Sequence, residues 1–376
     1  MHANDILESF SNLSMMPGVG DAEVTDDERV MARAVSHGLF GNLLDHKGFP
    51  PAGPSDGLSI PPHVGRYRIF EYAMPATQQP YRLTGDDYSL ERLNALYSQD
   101  LAGKCEHSMV VSVSAAVAIP SNKDALDDAP LSDGERIAVY LPGGAFIGSD
   151  TPDSKWVYIR MSLELGMRVF TPRYHVAPAF RYPRPVHDVY TAYGHLVGRG
   201  FRPQNIVVVG VSAGANICLS VLQLLAGNGR SREIAGCAVV EPCLDLTMSL
   251  GSWQRNQEVC ILPYVPPTHP GSMSRVYLGP VDDMDAVELL RRPLLSPLFA
   301  DVDGLPPMQI QVGRDDVLHD ECVAFAERIP AAELITYPGI NHYTMFRGRT
   351  QLDRFYSSLR KFVNKRSPPP APIDSS

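Results

Sequence analysis

The chain has 376 residues, with 33 Lys and Arg against 42 Asp and Glu, a formal net charge of −9 at pH 7. Apolar residues make up 44% and charged residues 20%, which fits a globular chain and excludes wholesale disorder. The acidic excess, with no basic run longer than Arg291-Arg292 or Lys365-Arg366, argues against nucleic-acid binding, which needs clustered positive charge.

The opening MHANDILESF has no basic stretch leading into an apolar core, so no secretory signal is expected. The longest apolar stretch, 109–120 (MVVSVSAAVAIP), is too short and too interrupted by serine to span a bilayer. Cys105, Cys218, Cys237, Cys243, Cys260 and Cys322 show no CxxC spacing. Neither a disulfide framework nor a zinc site is expected, and a reducing, cytoplasmic setting is the default.

In chain order, the first hundred residues hold two helix-like stretches, 26–44 and 89–101, around a Pro- and Gly-rich loop over 48–65. Such segments rarely make a core alone, so residues 1–95 read as a cap segment and lead-in. Short apolar, β-branched runs then predict buried strands at 107–119, 136–141, 167–171, 205–209, 235–240, 308–312 and 333–337. Helix-compatible stretches fall between them, at 156–165, 186–199, 213–226, 319–329 and 352–365. Alternation of this kind predicts a mostly parallel sheet flanked by helices, with its site at the carboxyl ends of strands. The interval from Val240 to Met308 is too long for a structureless loop and reads as an insertion with its own helices. The organisation expected is a core over 96–246 and 293–366, a cap insertion over 247–292, and a disordered Pro-rich tail over 367–376.

The sharpest motif is NIVVVGVSAGANICLSVLQLL, a strand running through Gly210-Val211-Ser212-Ala213-Gly214 into a helix pattern. In that context G-x-S-x-G forces the serine into a strained turn and exposes its hydroxyl above a helix N-terminus, where a developing anion is favoured. Gly210 and Gly214 lack the β-carbons that would collide with neighbouring backbone. The plainer reading is a Gly-rich turn whose serine caps the helix.

A serine hydroxyl needs a base and an oriented carboxylate to act as a nucleophile. Asp315 and Asp316 follow the predicted strand 308–312, and His342 follows the one at 333–337. The order Ser212, Asp316, His342 is the one expected of a nucleophile elbow in such a sheet. Taken singly, Asp316 also reads as a helix N-cap, Asp320 as a solvated helix residue and His342 as a surface loop histidine. His175 and His187 precede the serine, and His319 opens a helix. Small residues after the strand at 136–141, in Pro142-Gly143-Gly144-Ala145-Phe146, let backbone N–H groups approach a reacting oxygen, with the N–H of Ala213 as partner.

With these blocks in place the chain resembles the hormone-sensitive-lipase-like branch of the α/β-hydrolase family. PGGAF at 142–146 resembles its HGGG segment, and PRYHVAPAFRYPRPVHD at 172–188 its Y-R-L-A-P-E…F-P…D block. GVSAGAN at 210–216 is similar to its G-D-S-A-G-G-N elbow, and EPCLDLTMSLGS at 241–252 to its S-P-W-x-D-L-S segment. The stretch at 294–321 is similar to the one leading into D-x-L-x-D-E, and GINHYTMF to the block with the catalytic histidine.

The resemblance implies an α/β-hydrolase fold with a helical cap, Ser212 as nucleophile, Asp316 as acid and His342 as base. It further implies oxyanion donors at the N–H groups of Gly144, Ala145 and Ala213, with Gly143 shaping the turn. Four departures stand out: Pro142 for His, Ala145 for Gly, Val211 for an acid, and Glu241 for Ser. A carboxylate at Glu241 reads as orienting His342 in place of Asp316, tuning a pKa or contacting substrate; the plainer reading is a helix-capping or salt-bridged glutamate.

The function expected is a carboxylesterase acting on a hydrophobic small-molecule ester, without metal or organic cofactor. Phe146, Glu241 and Trp253 are candidate pocket residues, with Tyr264 near them in sequence. The altered turn and long cap motivate an alternative in which the same triad performs acyl transfer, deacetylation, lactone chemistry, or condensation or cyclisation of a natural-product intermediate. A non-catalytic hydrolase-like receptor is the remaining rival. The partners expected are an ester or related carbonyl substrate and, through an edge strand near 333–337, a second copy of the chain; no nucleic acid and no membrane insertion are expected.

Overall fold

The computed structural model describes residues 67–72 and 108–113, and then 130–366 apart from positions 131, 149–153, 179, 270, 280, 282, 343 and 347–348. The helix-like stretches 26–44 and 89–101, the loop 48–65 and the tail 367–376 lie outside these residues.

Among the described residues, eight strands form one sheet: β1 (Tyr67–Tyr72), β2 (Ser108–Val113), β3 (Ile137–Leu141), β4 (Arg168–Pro172), β5 (Ile206–Val211), β6 (Gly236–Val240), β7 (Met308–Gly313) and β8 (Glu333–Tyr337). Their order is β1-β2-β4-β3-β5-β6-β7-β8. The six from β4 to β8 run parallel; β2 pairs antiparallel with β4, and β1 antiparallel with β2. The strand β1 lies within the stretch that the sequence reading assigns to a cap and lead-in, yet it is part of the central sheet, pairing Tyr67 with Val113 and Tyr72 with Ser108.

The parallel strands are buried on both faces because helices cover both, and their residues divide with the period of two that a pleat imposes. Ala138, Tyr140, Val207, Val209, Val211, Ala238 and Val240 face one helical layer. That layer is α1 (Ser154–Leu165) and α8 (Arg349–Arg366). Leu352, Phe355, Tyr356, Leu359, Phe362 and Val363 recur at helical spacing along α8, and all are buried. Truncating a residue such as Phe355 to alanine removes about 3–5 kcal/mol.

Ile137, Val139, Leu141, Ile206, Val208, Cys237, Val239, Ile310 and Val312 face the opposite way. They meet α2 (Arg184–Gly198), α3 (Ala213–Gly227) and α7 (His319–Arg328). Every residue of α3 from Ala213 to Leu225 is buried, as a helix at the centre of the layer requires.

Between β6 and β7 the described residues include the short α-helices α4 (Ser252–Arg255), α5 (Met273–Leu278) and α6 (Asp283–Leu290). Buried side chains tie this stretch to the core. Asn216 Nδ2 donates to the carbonyls of Cys243 and Leu295, both at 2.8 Å, and Ser220 Oγ to that of Leu294 at 2.8 Å. Among the described residues, no helix is long and apolar enough to cross a membrane.

Candidate active site

The strand β5 leads straight into Ser212, which adopts φ 52° and ψ −119°. Positive φ in a residue with a β-carbon costs about 1–3 kcal/mol and persists only when its surroundings over-determine it. Here the Ser212 N–H donates to the Val240 carbonyl at 2.9 Å, and the Ser212 carbonyl accepts from Asn216 at 3.1 Å and Cys243 at 3.3 Å. A β-carbon on Gly210 would lie 2.6 Å from the Ala215 Cα, and one on Gly214 would overlap the carbonyls of Leu141 and Pro142. The two glycines therefore let the strand turn and let α3 abut the exit of β3.

The exits of β7 and β8 are sewn together next to this elbow. The Arg314 N–H donates to the Tyr337 carbonyl at 2.9 Å and the Asp315 N–H to that of Ile340 at 3.0 Å. A β-carbon on Gly313 would overlap the Ile340 carbonyl, so only glycine permits the approach. Asn256 Nδ2 also holds the carbonyls of Asp316 (2.8 Å) and Arg314 (3.0 Å).

Asp316 and His342 meet across this seam. Asp316 Oδ1 accepts the Leu318 N–H at 3.0 Å, and its Oδ2 lies 3.0 Å from His342 Nδ1. His342 Nε2 lies 3.1 Å from Ser212 Oγ. A carboxylate only accepts, so the imidazole proton sits on Nδ1 and Nε2 is left to accept from the serine hydroxyl. Burial by itself lowers the His342 pKa, but the charge and hydrogen bond of Asp316, with the charge of Glu241, outweigh it and raise it above the ordinary histidine value. Asp315, half-buried, uses its N–H in the seam and is not the partner. Asp320 pairs instead with Arg255 at 2.6 Å and His319 at 3.0 Å.

The turn after β3 lies beside the elbow. Gly144 has φ 145°, Ala145 51° and Phe146 65°. Its carbonyls are in use: Tyr174 Oη donates to Pro142 at 2.6 Å, Gly148 to Gly144 at 2.9 Å, and Ala177 to Phe146 at 2.9 Å. Among the described residues, the N–H groups of Gly144, Ala145 and Ala213 have no protein acceptor. Pro142 contributes through its carbonyl, so its missing N–H costs the turn nothing.

Two of the candidate pocket residues sit in the core. Phe146 has no exposed surface and stacks on Tyr277, with ring centroids 4.0 Å apart. Trp253 has none either, and its indole N–H donates to Glu321 Oε2 at 3.3 Å. Tyr264 is half-buried beside Trp253, at 5.9 Å between ring centroids. Glu241 is wholly buried and faces the imidazole rather than open space, with Oε2 3.6 Å from His342 Nδ1. Sequence reasoning gave no role to Gly313, Asn256 or Tyr174. Gly313 was legible as a glycine ending a strand, whereas the other two act through contacts distant in the chain.

Residues 138–346 match the family described as the alpha/beta hydrolase fold. The chain belongs to that family. Among curated proteins it is similar to an esterase of Acinetobacter venetianus, 29% identical over 216 residues, which cover 56% of this chain and 68% of that one. An acetyl-hydrolase of Streptomyces hygroscopicus is 29% identical over 192 residues, 51% of this chain and 61% of its own length. The fold is similar to the crystal structure of an esterase/lipase from an uncultured bacterium, with a TM-score of 0.60 and 19% identity over 96% of this chain and 99% of that one.

Proposed function

We propose that Ser212, His342 and Asp316 cleave a small hydrophobic ester as nucleophile, base and acid. The observation that carries this reading is the continuous relay of 3.1 Å from Ser212 Oγ to His342 Nε2 and 3.0 Å from His342 Nδ1 to Asp316. The serine oxygen attacks the ester carbonyl as its proton passes to Nε2, and Asp316 holds the imidazolium in place. The N–H groups of Gly144, Ala145 and Ala213 receive the oxyanion. The imidazolium then protonates the departing alcohol, leaving Ser212 acylated. Water, deprotonated by the same imidazole, releases the acid and restores the hydroxyl.

A small ester is favoured by the names of the relatives, an esterase and an acetyl-hydrolase. The buried Phe146–Tyr277 stack beside the turn favours apolar character. The Ala145 methyl adds bulk at the turn and favours a short acyl group.

Stopped-flow hydrolysis of p-nitrophenyl acetate and butyrate tests the proposal. A burst of one p-nitrophenol per chain should precede steady turnover, and Ser212→Ala should abolish the burst and lower kcat/KM by about 10⁴–10⁶-fold. A burst that survives in Ser212→Ala, or a wild-type protein inert toward both esters, sinks the reading.

A further inference from the structure

His342 has two carboxylates on its Nδ1 side, and triad chemistry accounts for one. Asp316 Oδ2 lies 3.0 Å from Nδ1 and Glu241 Oε2 lies 3.6 Å from it. One side-chain nitrogen or carboxylate oxygen from each of the three residues lies within 4.8 Å of the others. The two acids arrive from different strands, Glu241 at the exit of β6 and Asp316 at the exit of β7. Glu241 takes a φ of 46°, and its N–H donates to the Gln311 carbonyl at 2.7 Å. That bond fixes the direction in which the side chain leaves the strand, despite a backbone conformation costly for a residue with a β-carbon.

The contact is too long for the main hydrogen bond, which goes to Asp316. Charge acts over that distance, however, and acts strongly where water is excluded. Glu241 and Asp316 are both 0% exposed. A buried carboxylate is costly unless positive charge forms beside it, and the reaction creates that charge on the imidazole. The titratable groups around the pair include Cys322 on α7, Cys260 next to Asp316, and Cys243, which feels the Asp316 charge. Burial pushes all three thiols up, so none is charged at neutral pH.

We propose that Glu241 is a positioning residue for the base, a second carboxylate that stabilises the His342 imidazolium formed when Ser212 gives up its proton and retains the ring when Asp316 is removed. The inference rests on the triad reading above.

The test uses Glu241→Gln, isosteric and neutral, and Glu241→Ser. The pH dependence of kcat/KM is measured on p-nitrophenyl butyrate, with active serines counted by a fluorophosphonate probe. Removing the negative charge should move the acidic limb down by about one pH unit in both variants. The plateau kcat should fall about tenfold, with KM changed less than about twofold. The double variant Asp316→Asn/Glu241→Gln should fall about a further tenfold below Asp316→Asn. A limb that stays put in both single variants overturns the proposal, even if the plateau drops, because a packing role lowers activity without moving a titration. Equal activity of Asp316→Asn and the double variant overturns the retaining role. If wild type takes up no probe, or Ser212→Ala still does, the triad reading itself fails; an unmoved limb in probe-labelled variants removes only Glu241.

Discussion

The elbow and the stretch after β6 flank the same imidazole, yet different forces hold them. The elbow is built by steric exclusion. Gly210 and Gly214 let backbone pass where a β-carbon would collide, and Ser212 is strained at φ 52° as a result. The stretch from Glu241 onward is built by buried polar groups. Asp245 accepts the N–H groups of Thr247 at 2.8 Å and Ser249 at 3.0 Å, and Glu321 accepts that of Leu244 at 2.6 Å. Burial raises the Glu321 pKa well above the ordinary value, with the charge of Asp245 adding to it and the hydrogen bonds from Leu244 and Trp253 opposing it. Steric construction sets the position of a reacting atom, whereas polar construction closes a long connection that has too little apolar surface to close itself. Changes in the elbow should therefore register in rate as well as stability, and changes in the polar stretch beyond Glu241 in stability alone.

Four experiments sharpen or break that division. Asp316→Asn leaves the fold in place but no longer fixes the imidazole tautomer, and kcat should fall by about 10⁴-fold at unchanged Tm. A small loss that persists in the Asp316→Asn/Glu241→Gln double variant would mean that the carboxylate is dispensable and the relay wrongly drawn. Gly214→Ala drives a methyl into the Leu141 and Pro142 carbonyls; it should cost about 3 kcal/mol in chemical denaturation and slow fluorophosphonate labelling more than tenfold. Asp245→Ala strands the buried Thr247 N–H and the part-buried Ser249 N–H, so about 2 kcal/mol of stability should go while kcat at 25 °C moves less than about threefold. If Asp245→Ala slowed catalysis as much as Gly214→Ala, the two regions would not be separable.

The mildest probe is pH. A base with a raised pKa is protonated, and so disabled, at higher pH than an ordinary histidine. The limb of kcat/KM should thus titrate above about pH 6.5 and fall about tenfold per unit below it. A limb below that value would contradict the electrostatic account of His342.

Much of this arrangement was legible in the sequence because it is local. The strand ranges follow from apolar runs, and β3 to β8 begin or end within two residues of the positions that those runs suggest. Ser212, Asp316 and His342 were accessible because each follows a strand directly, and parallel topology carries those exits to one edge. What escaped was long-range. Strand β1, YRIFEY, follows the Pro- and Gly-rich stretch 48–65 and went unread, and its pairing with β2 gives it a place. Phe146 and Trp253 read as pocket aromatics because sequence does not distinguish a ring lining a cavity from one stacked in the core. Glu241 was recognisable as an anomaly and as a candidate to orient His342, and what needed the register between β6 and β7 was its 3.6 Å distance from the ring.

The central claim is that one hydroxyl, activated by one imidazole, does the chemistry. Intact protein is treated with a fluorophosphonate, digested, and the adduct mapped by mass spectrometry, alongside His342→Ala. The account predicts a single phosphonyl group on the peptide containing Ser212, formed at least about 10³-fold more slowly without the imidazole. An adduct on another residue, or labelling that proceeds equally well in His342→Ala, would contradict it.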